Sequence, residues 1–216
     1  ILLLTGLNIP WASIFWPSAR SKISSFIGLA PDFHGTILLP QVACVVETVA
    51  SLGQGCSTSF IQQEASSKYL AAQEAFLSQA IVPTTAVFTR TDEIVVPQFP
   101  DAIASSRLPG SVQFPLQNLE VCGPLHIADH LSMQIDPAAY AIVLQAIQSP
   151  SGKASKAKFD RSSCTNFANT DLNFDDAKPT FDYLETLGTA VLFSEGIYSK
   201  TEPPLMPYVA RAGYTA

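Results

Sequence analysis

Two phrases of this 216-residue chain carry residues able to do proton-transfer chemistry: Thr91-Asp92-Glu93-Ile94-Val95-Val96-Pro97-Gln98, then Val121-Cys122-Gly123-Pro124-Leu125-His126-Ile127-Ala128-Asp129-His130. An aspartate followed by a histidine, each in a loop, is the acid-then-base order of one of the known arrangements of a Ser-His-Asp triad, in which the nucleophile lies upstream. In such a triad the carboxylate fixes the imidazole tautomer and stabilises its cationic form, and the imidazole takes a proton from the serine hydroxyl. Upstream of Asp92 no serine stands in a convincing elbow. The nearest pattern, Gly55-Cys56-Ser57-Thr58-Ser59, lacks the closing glycine, has no evident strand before it and reads as a helix cap. Ser111 and Ser132 have no elbow context either.

These loops need strands to carry them. Apolar, β-branched runs bounded by turn residues predict strands over residues 23–31 (ISSFIGLAP), 83–88 (PTTAVF) and 112–119, the signal of a buried, mostly parallel sheet. Asp92 then falls just beyond the carboxyl end of the second strand, and His130 in the loop after the third. Reactive groups in open α/β sheets gather at such ends. The apolar run Ile1 to Leu7 reads as a buried strand end, and Ile9 to Trp16 as the end of a helix stopped by Pro17. Helical spacing of Phe60, Ile61, Tyr69, Leu70, Phe76 and Leu77 predicts one helix over 57–80, started by a Ser or Thr cap. Asp136-Pro137 introduces an amphipathic helix over 135–147, and another is expected over 181–194.

Composition narrows the class. With 47% hydrophobic and 14% charged residues, the chain buries a substantial core and reads as a single domain, 1–216. A net charge of −6 argues against nucleic-acid binding, and the cluster Lys153, Lys156, Lys158 and Arg161 reads as a solvated surface. No stretch is long and apolar enough for a transmembrane segment. Four cysteines without CxxC or Cys/His ligand spacing point to disulfides in an oxidising compartment rather than a metal site. The excursion over 149–179 needs pinning, and Cys164 within it takes Cys122 as its expected partner. Closing so large a loop contributes about 4 kcal/mol in the chain-entropy model. Cys44 and Cys56, with Gly53-Gln54-Gly55 between them, make the second, local bridge.

Further phrases occur in order along nearly the whole chain: Phe15-Trp16-Pro17-Ser18-Ala19-Arg20-Ser21-Lys22, Ala30-Pro31-Asp32-Phe33-His34-Gly35-Thr36, Gln62-Gln63, Ile81-Val82-Pro83-Thr84-Thr85 and Leu205-Met206-Pro207-Tyr208. With the two opening phrases they resemble the fungal lipase B family of α/β-hydrolases. The resemblance implies the C-terminal two-thirds of an α/β-hydrolase fold, an incomplete, mostly parallel sheet with flanking helices. It implies a secreted, triad-dependent lipase or esterase that needs no cofactor and no metal, acting on lipid or other carboxylic esters at an oil–water interface, with no obligate protein partner.

By motif matching, Asp92 is the triad acid and His130 the base, while Asp32, Thr36 and Gln63 fall near the acyl pocket and Ile94 and Val95 on its apolar wall. Cys122 and Cys164 match a family disulfide, whereas the family's last disulfide has no counterpart at Lys200-Thr201-Glu202-Pro203. Asp32 retains a second reading, a buried structural acid, and His34 and His126 read as incidental. A gapless match puts Leu3 on the nucleophile position and Leu4 on an oxyanion-donor position; a gapped one loses the elbow before Gly6. Either way the serine is absent, and the chain reads as an N-terminally truncated part of a hydrolase, inactive alone. The alternative is a genuine serine-less relative that binds apolar or ester ligands without catalysis. The segment 131–136 and an apolar face of the 181–194 helix (Leu184, Leu187, Val191, Leu192) are candidate lid elements.

Overall fold

A computed structural model describes residues 3–165, 175, 178–179, 182–183, 186 and 198–215. Three parallel strands form the main sheet: β1 (Phe26–Leu29), β3 (Thr84–Phe88) and β4 (Val112–Pro115), in the order β1-β3-β4. Thr84 pairs with Phe26 and Thr85 with Val112, so β3 is central. Every β3 residue is buried, as a strand covered on both faces requires. A two-residue antiparallel ladder joins β2 (Cys56–Ser57) to β5 (Tyr198–Ser199).

Successive β3 side chains point to opposite faces, which gives the sheet two cores. On one face Val87, Phe114 and Leu116 pack with Ala138, Ala139, Ile142 and Ala146 of α6 (Pro137–Gln148). On the other, Ala86 and Phe26 pack with Phe33, Leu77 and Leu108, against Ile9 and Ile14 of α1 (Leu3–Phe15). The short α2 (Pro17–Arg20) follows α1, and α7 (Pro207–Arg211) is tied to α1 where Trp11 Nε1 donates to the Tyr208 hydroxyl at 2.9 Å.

Several expectations are corrected. The opening residues are helix from Leu3 onward rather than a strand end; Leu7 and Trp11, one turn apart, both turn into the core, a helical and not an alternating pattern. The single helix expected over 57–80 is two, α4 (Thr58–Gln63) and α5 (Lys68–Phe76). Between them Thr36 and Glu64 form a parallel bridge, with Thr36 N–H donating to Gln63 O and Ala65 N–H to Thr36 O. Those long-range bonds take the carbonyl and amide that a continuous helix would use. The Ser57 side chain makes no capping bond to α4; Ser67 caps α5 by accepting from Leu70 N–H. The third strand ends at Pro115 rather than 119.

Helix α3 (Leu39–Ala50) was not anticipated, and its polarity runs against the usual rule. Glu47 is fully buried while Val42, Val45 and Val49 are exposed. The Glu47 carboxylate is satisfied inside by the Ser57 backbone N–H at 2.6 Å and hydroxyl at 2.8 Å, which makes its burial tolerable. The Cys44–Cys56 disulfide closes the same junction. The helix expected over 181–194, with its apolar face, lies outside the described residues apart from 182–183 and 186.

Candidate functional site

Asp92 sits four residues beyond the end of β3, in a turn that its own side chain organises. Its Oδ1 accepts backbone N–H bonds from Ile94 at 2.9 Å and Val95 at 2.7 Å, an Asx-type arrangement that fixes the carboxylate. The turn is braced by Thr36, whose hydroxyl donates to Ile94 O at 2.6 Å and accepts from Val96 N–H at 3.1 Å.

The loop after β4 is held at its base by Leu116 N–H donating to Phe88 O and Cys122 N–H to Leu116 O, and by the Cys122–Cys164 disulfide. Farther along, the Ala128 carbonyl accepts from the hydroxyls of Thr89 at 2.7 Å and Thr91 at 2.6 Å. The His126 carbonyl accepts from Gln117 Nε2 at 3.0 Å. The backbone N–H of His130 donates to Glu93 Oε2 at 3.0 Å. The bonds from Thr89, Thr91 and Glu93 run from the β3 exit to the histidine loop and bring together two segments separated by nearly forty residues.

At their meeting point His130 Nδ1 lies 2.9 Å from Asp92 Oδ2 and 3.1 Å from Oδ1, with side-chain exposures of 3% and 0%. A carboxylate can only accept, so the imidazole carries its proton on Nδ1 and presents the Nε2 lone pair. Among the described residues Nε2 makes no hydrogen bond. A buried imidazole of fixed tautomer with a free basic nitrogen is equipped for general-base work.

The other sequence-predicted positions differ in what they do. Thr36 and Val95 are buried and bonded into the Asp92 turn, Thr36 through its hydroxyl and Val95 through its amide, while Ile94 is partly exposed. Gln63 turns its side-chain amide back to Ser59 O at 3.0 Å, and reaches Thr36 only through its carbonyl. Asp32 is fully buried, and among the described residues neither carboxyl oxygen has a hydrogen-bond partner. Burial pushes its pKa up to about 8, its own backbone amide opposes the rise in part, and the Asp92 carboxylate adds to it. Gly6 packs directly on this acid: a Cβ there would stand 2.6 Å from Oδ1.

His34 engages Glu74 at 2.7 Å and Arg107 O at 2.8 Å, so both ring nitrogens are occupied. Sequence reasoning missed Glu93, Thr89, Thr91 and Gln117 as supports, although their position beside Asp92 or at strand exits was a signal. Among the described residues no group of three or more His, Cys, Asp or Glu side chains is placed to hold a metal, and no helix is long and apolar enough to cross a membrane.

Comparison with known proteins gives this geometry a context. The chain is 31% identical over 206 residues to lipase B of Pseudozyma antarctica, covering 94% of this chain and 56% of that protein. The chain resembles fungal lipase B. The crystal structure of Aspergillus fumigatus lipase B matches it with a TM-score of 0.80 at 26% identity, over 94% of this chain and 48% of that one. The chain thus spans about half the length of these lipase B relatives. No family model matches it. The parallel sheet with helices on both faces is the corresponding part of an α/β-hydrolase fold.

Proposed function

We propose that this chain supplies the acid and the base of a Ser-His-Asp carboxylic ester hydrolase, a lipase or esterase acting on lipid or related esters. The observation that carries the reading is the buried Asp92–His130 pair, with Nδ1 committed to the carboxylate and Nε2 without a hydrogen bond among the described residues. In the reaction, Nε2 takes the serine hydroxyl proton as the oxygen attacks the ester carbonyl. Asp92 stabilises the resulting imidazolium, which then gives that proton to the departing alkoxide. Water repeats the sequence on the acyl-enzyme, losing a proton to Nε2 and releasing the acid and the serine.

The serine comes, on this reading, from a segment joined to these 216 residues, and the chain alone does not turn over ester. Secretion is supported by two disulfides within the described residues.

The test measures p-nitrophenyl ester hydrolysis and fluorophosphonate labelling on this chain and on the product of the complete transcript. The complete product is expected to label and to hydrolyse, and Asp92→Asn or His130→Ala to lose about 10⁴-fold in turnover. Full activity in either variant refutes the assignment. No labelling of the complete product replaces it with a non-catalytic, ligand-binding relative.

A further inference from the structure

His126 and Asp136 stand ten positions apart in the chain, and His130 lies between them. The two side chains meet at 2.7 Å through His126 Nε2 and Asp136 Oδ2, with exposures of only 7% and 4%. His126 points inward between two outward-facing neighbours, Leu125 at 91% and Ile127 at 94% exposure. The partner carboxylate is itself fixed, because Asp136 Oδ1 accepts the Ala139 N–H at 2.9 Å and caps α6. That helix is packed on the sheet through Ala138, Ala139, Ile142 and Ala146. The pair therefore closes the loop carrying His130 onto a rigid element, in addition to its bonds with Thr89, Thr91 and Glu93.

We propose that the His126–Asp136 pair is a positioning clasp that sets the placement of the His130 ring against Asp92. The inference rests on the reading of His130 as the base. The physical reason is that the hydrogen bonds to the loop backbone at His126, Ala128 and His130 come from Gln117, Thr89, Thr91 and Glu93, none of which belongs to α6. Past His130 the backbone bonds of the segment 131–135 stay within the loop, from Met133 N–H to Asp129 O, Gln134 N–H to Leu131 O and Ile135 N–H to Ser132 O, and it meets the core through Met133, a buried thioether, whose flexible side chain specifies position poorly. A hydrogen bond to a carboxylate is directional and stronger than a neutral one, and it converts the position of α6 into the position of the base. An offset of about 1 Å in a reacting group costs up to about a hundredfold in rate.

The deciding experiment reads the ring geometry directly on the 216-residue chain, so it stands whether or not ester hydrolysis is found. The low-field proton on His130 Nδ1, shared with Asp92 and assigned by its loss in His130→Ala, is recorded by NMR in His126→Phe, His126→Gln and Asp136→Ser. Gln keeps a donor toward Asp136, and Ser keeps the α6 cap while removing the carboxylate. The resonance is expected to broaden severalfold or vanish in His126→Phe and Asp136→Ser and to be retained in His126→Gln, with His34 signals unchanged throughout as the internal reference. An unaltered His130 resonance in folded His126→Phe or Asp136→Ser overturns the proposal. Unfolding of both also overturns it, since the pair is then a stability element alone. In the active hydrolase, His126→Phe is expected to lower kcat by about tenfold to a hundredfold with KM unchanged.

Discussion

Replacing Asp32 with asparagine should change how stability depends on pH, and the structure sets the size of the change. Asp32 has no solvent exposure and, among the described residues, no hydrogen-bond partner for either carboxyl oxygen, and its pKa rises from 3.8 to about 8. The folded state thus binds the proton more tightly than the unfolded chain. Stability from this group is fully present below about pH 4 and is lost as pH rises, until the folded-state acid itself ionises near pH 8. Between those limits the loss is about 1.4 kcal/mol per pH unit, so by pH 7 the group costs about 4 kcal/mol relative to acid conditions. Asparagine cannot titrate. The difference in unfolding free energy between Asp32→Asn and the parent, followed by urea denaturation with tryptophan fluorescence from pH 4 to pH 9, should therefore move in favour of the variant. It should rise by about 4 kcal/mol up to pH 7 and level off above pH 8. Using the difference removes the titration of every other carboxylate. Parallel pH curves for the two proteins would refute the argument, because they would show that Asp32 ionises alike in the folded and unfolded chain.

Three further perturbations follow from the same geometry. Thr36→Val deprives Ile94 O and Val96 N–H of their shared partner; a loss of about 1–3 kcal/mol in urea unfolding is expected, accompanied by weakening of the low-field His130 proton as the Asp92 turn loosens. Replacing Cys122 and Cys164 together by serine opens a loop of 42 residues' separation and should cost about 4 kcal/mol in the chain-entropy model, read from denaturation midpoints at constant m. Gly35→Ala places a Cβ against the Leu70 side chain and 2.7 Å from Gln63 O at a φ of 73°. It should lower the melting temperature by more than the same change at Gly53, where φ is also positive but the space is open.

What could be read along the chain, and what could not, divides by the range of the interactions involved. Helix α6 was visible because its signal is local: an Asp-Pro start, a cap within three residues and apolar spacing on one face. Strands β1 and β3 were visible because continuous apolar runs between turn residues have few other uses. Helix α3 was not, since its valines face outward and its glutamate inward, an inversion justified only by Ser57, ten residues away. The break between α4 and α5 was hidden for a similar reason: Thr36 supplies the competing hydrogen bonds from a distant segment.

The candidate site shows the same division more sharply. By itself the sequence determined the residue types and their order: an acid after one buried strand, a histidine after the next, and cysteines spaced to pin the intervening loops. Those properties follow from local patterning and chain order. The family resemblance had matched His130 with Asp92, but the spacing alone does not say which histidine meets which acid, and only the tertiary structure brought His126 to Asp136. His130 and His126 lie four residues apart in one loop, yet one faces Asp92 and the other Asp136. It also decided that Asp32 finds no hydrogen-bond partner among the described residues while Asp92 is held by two backbone amides. Whether a carboxylate in the interior is charged, and what it can do, depends on the donors that distant segments bring to it, and no spacing along the chain encodes those distances.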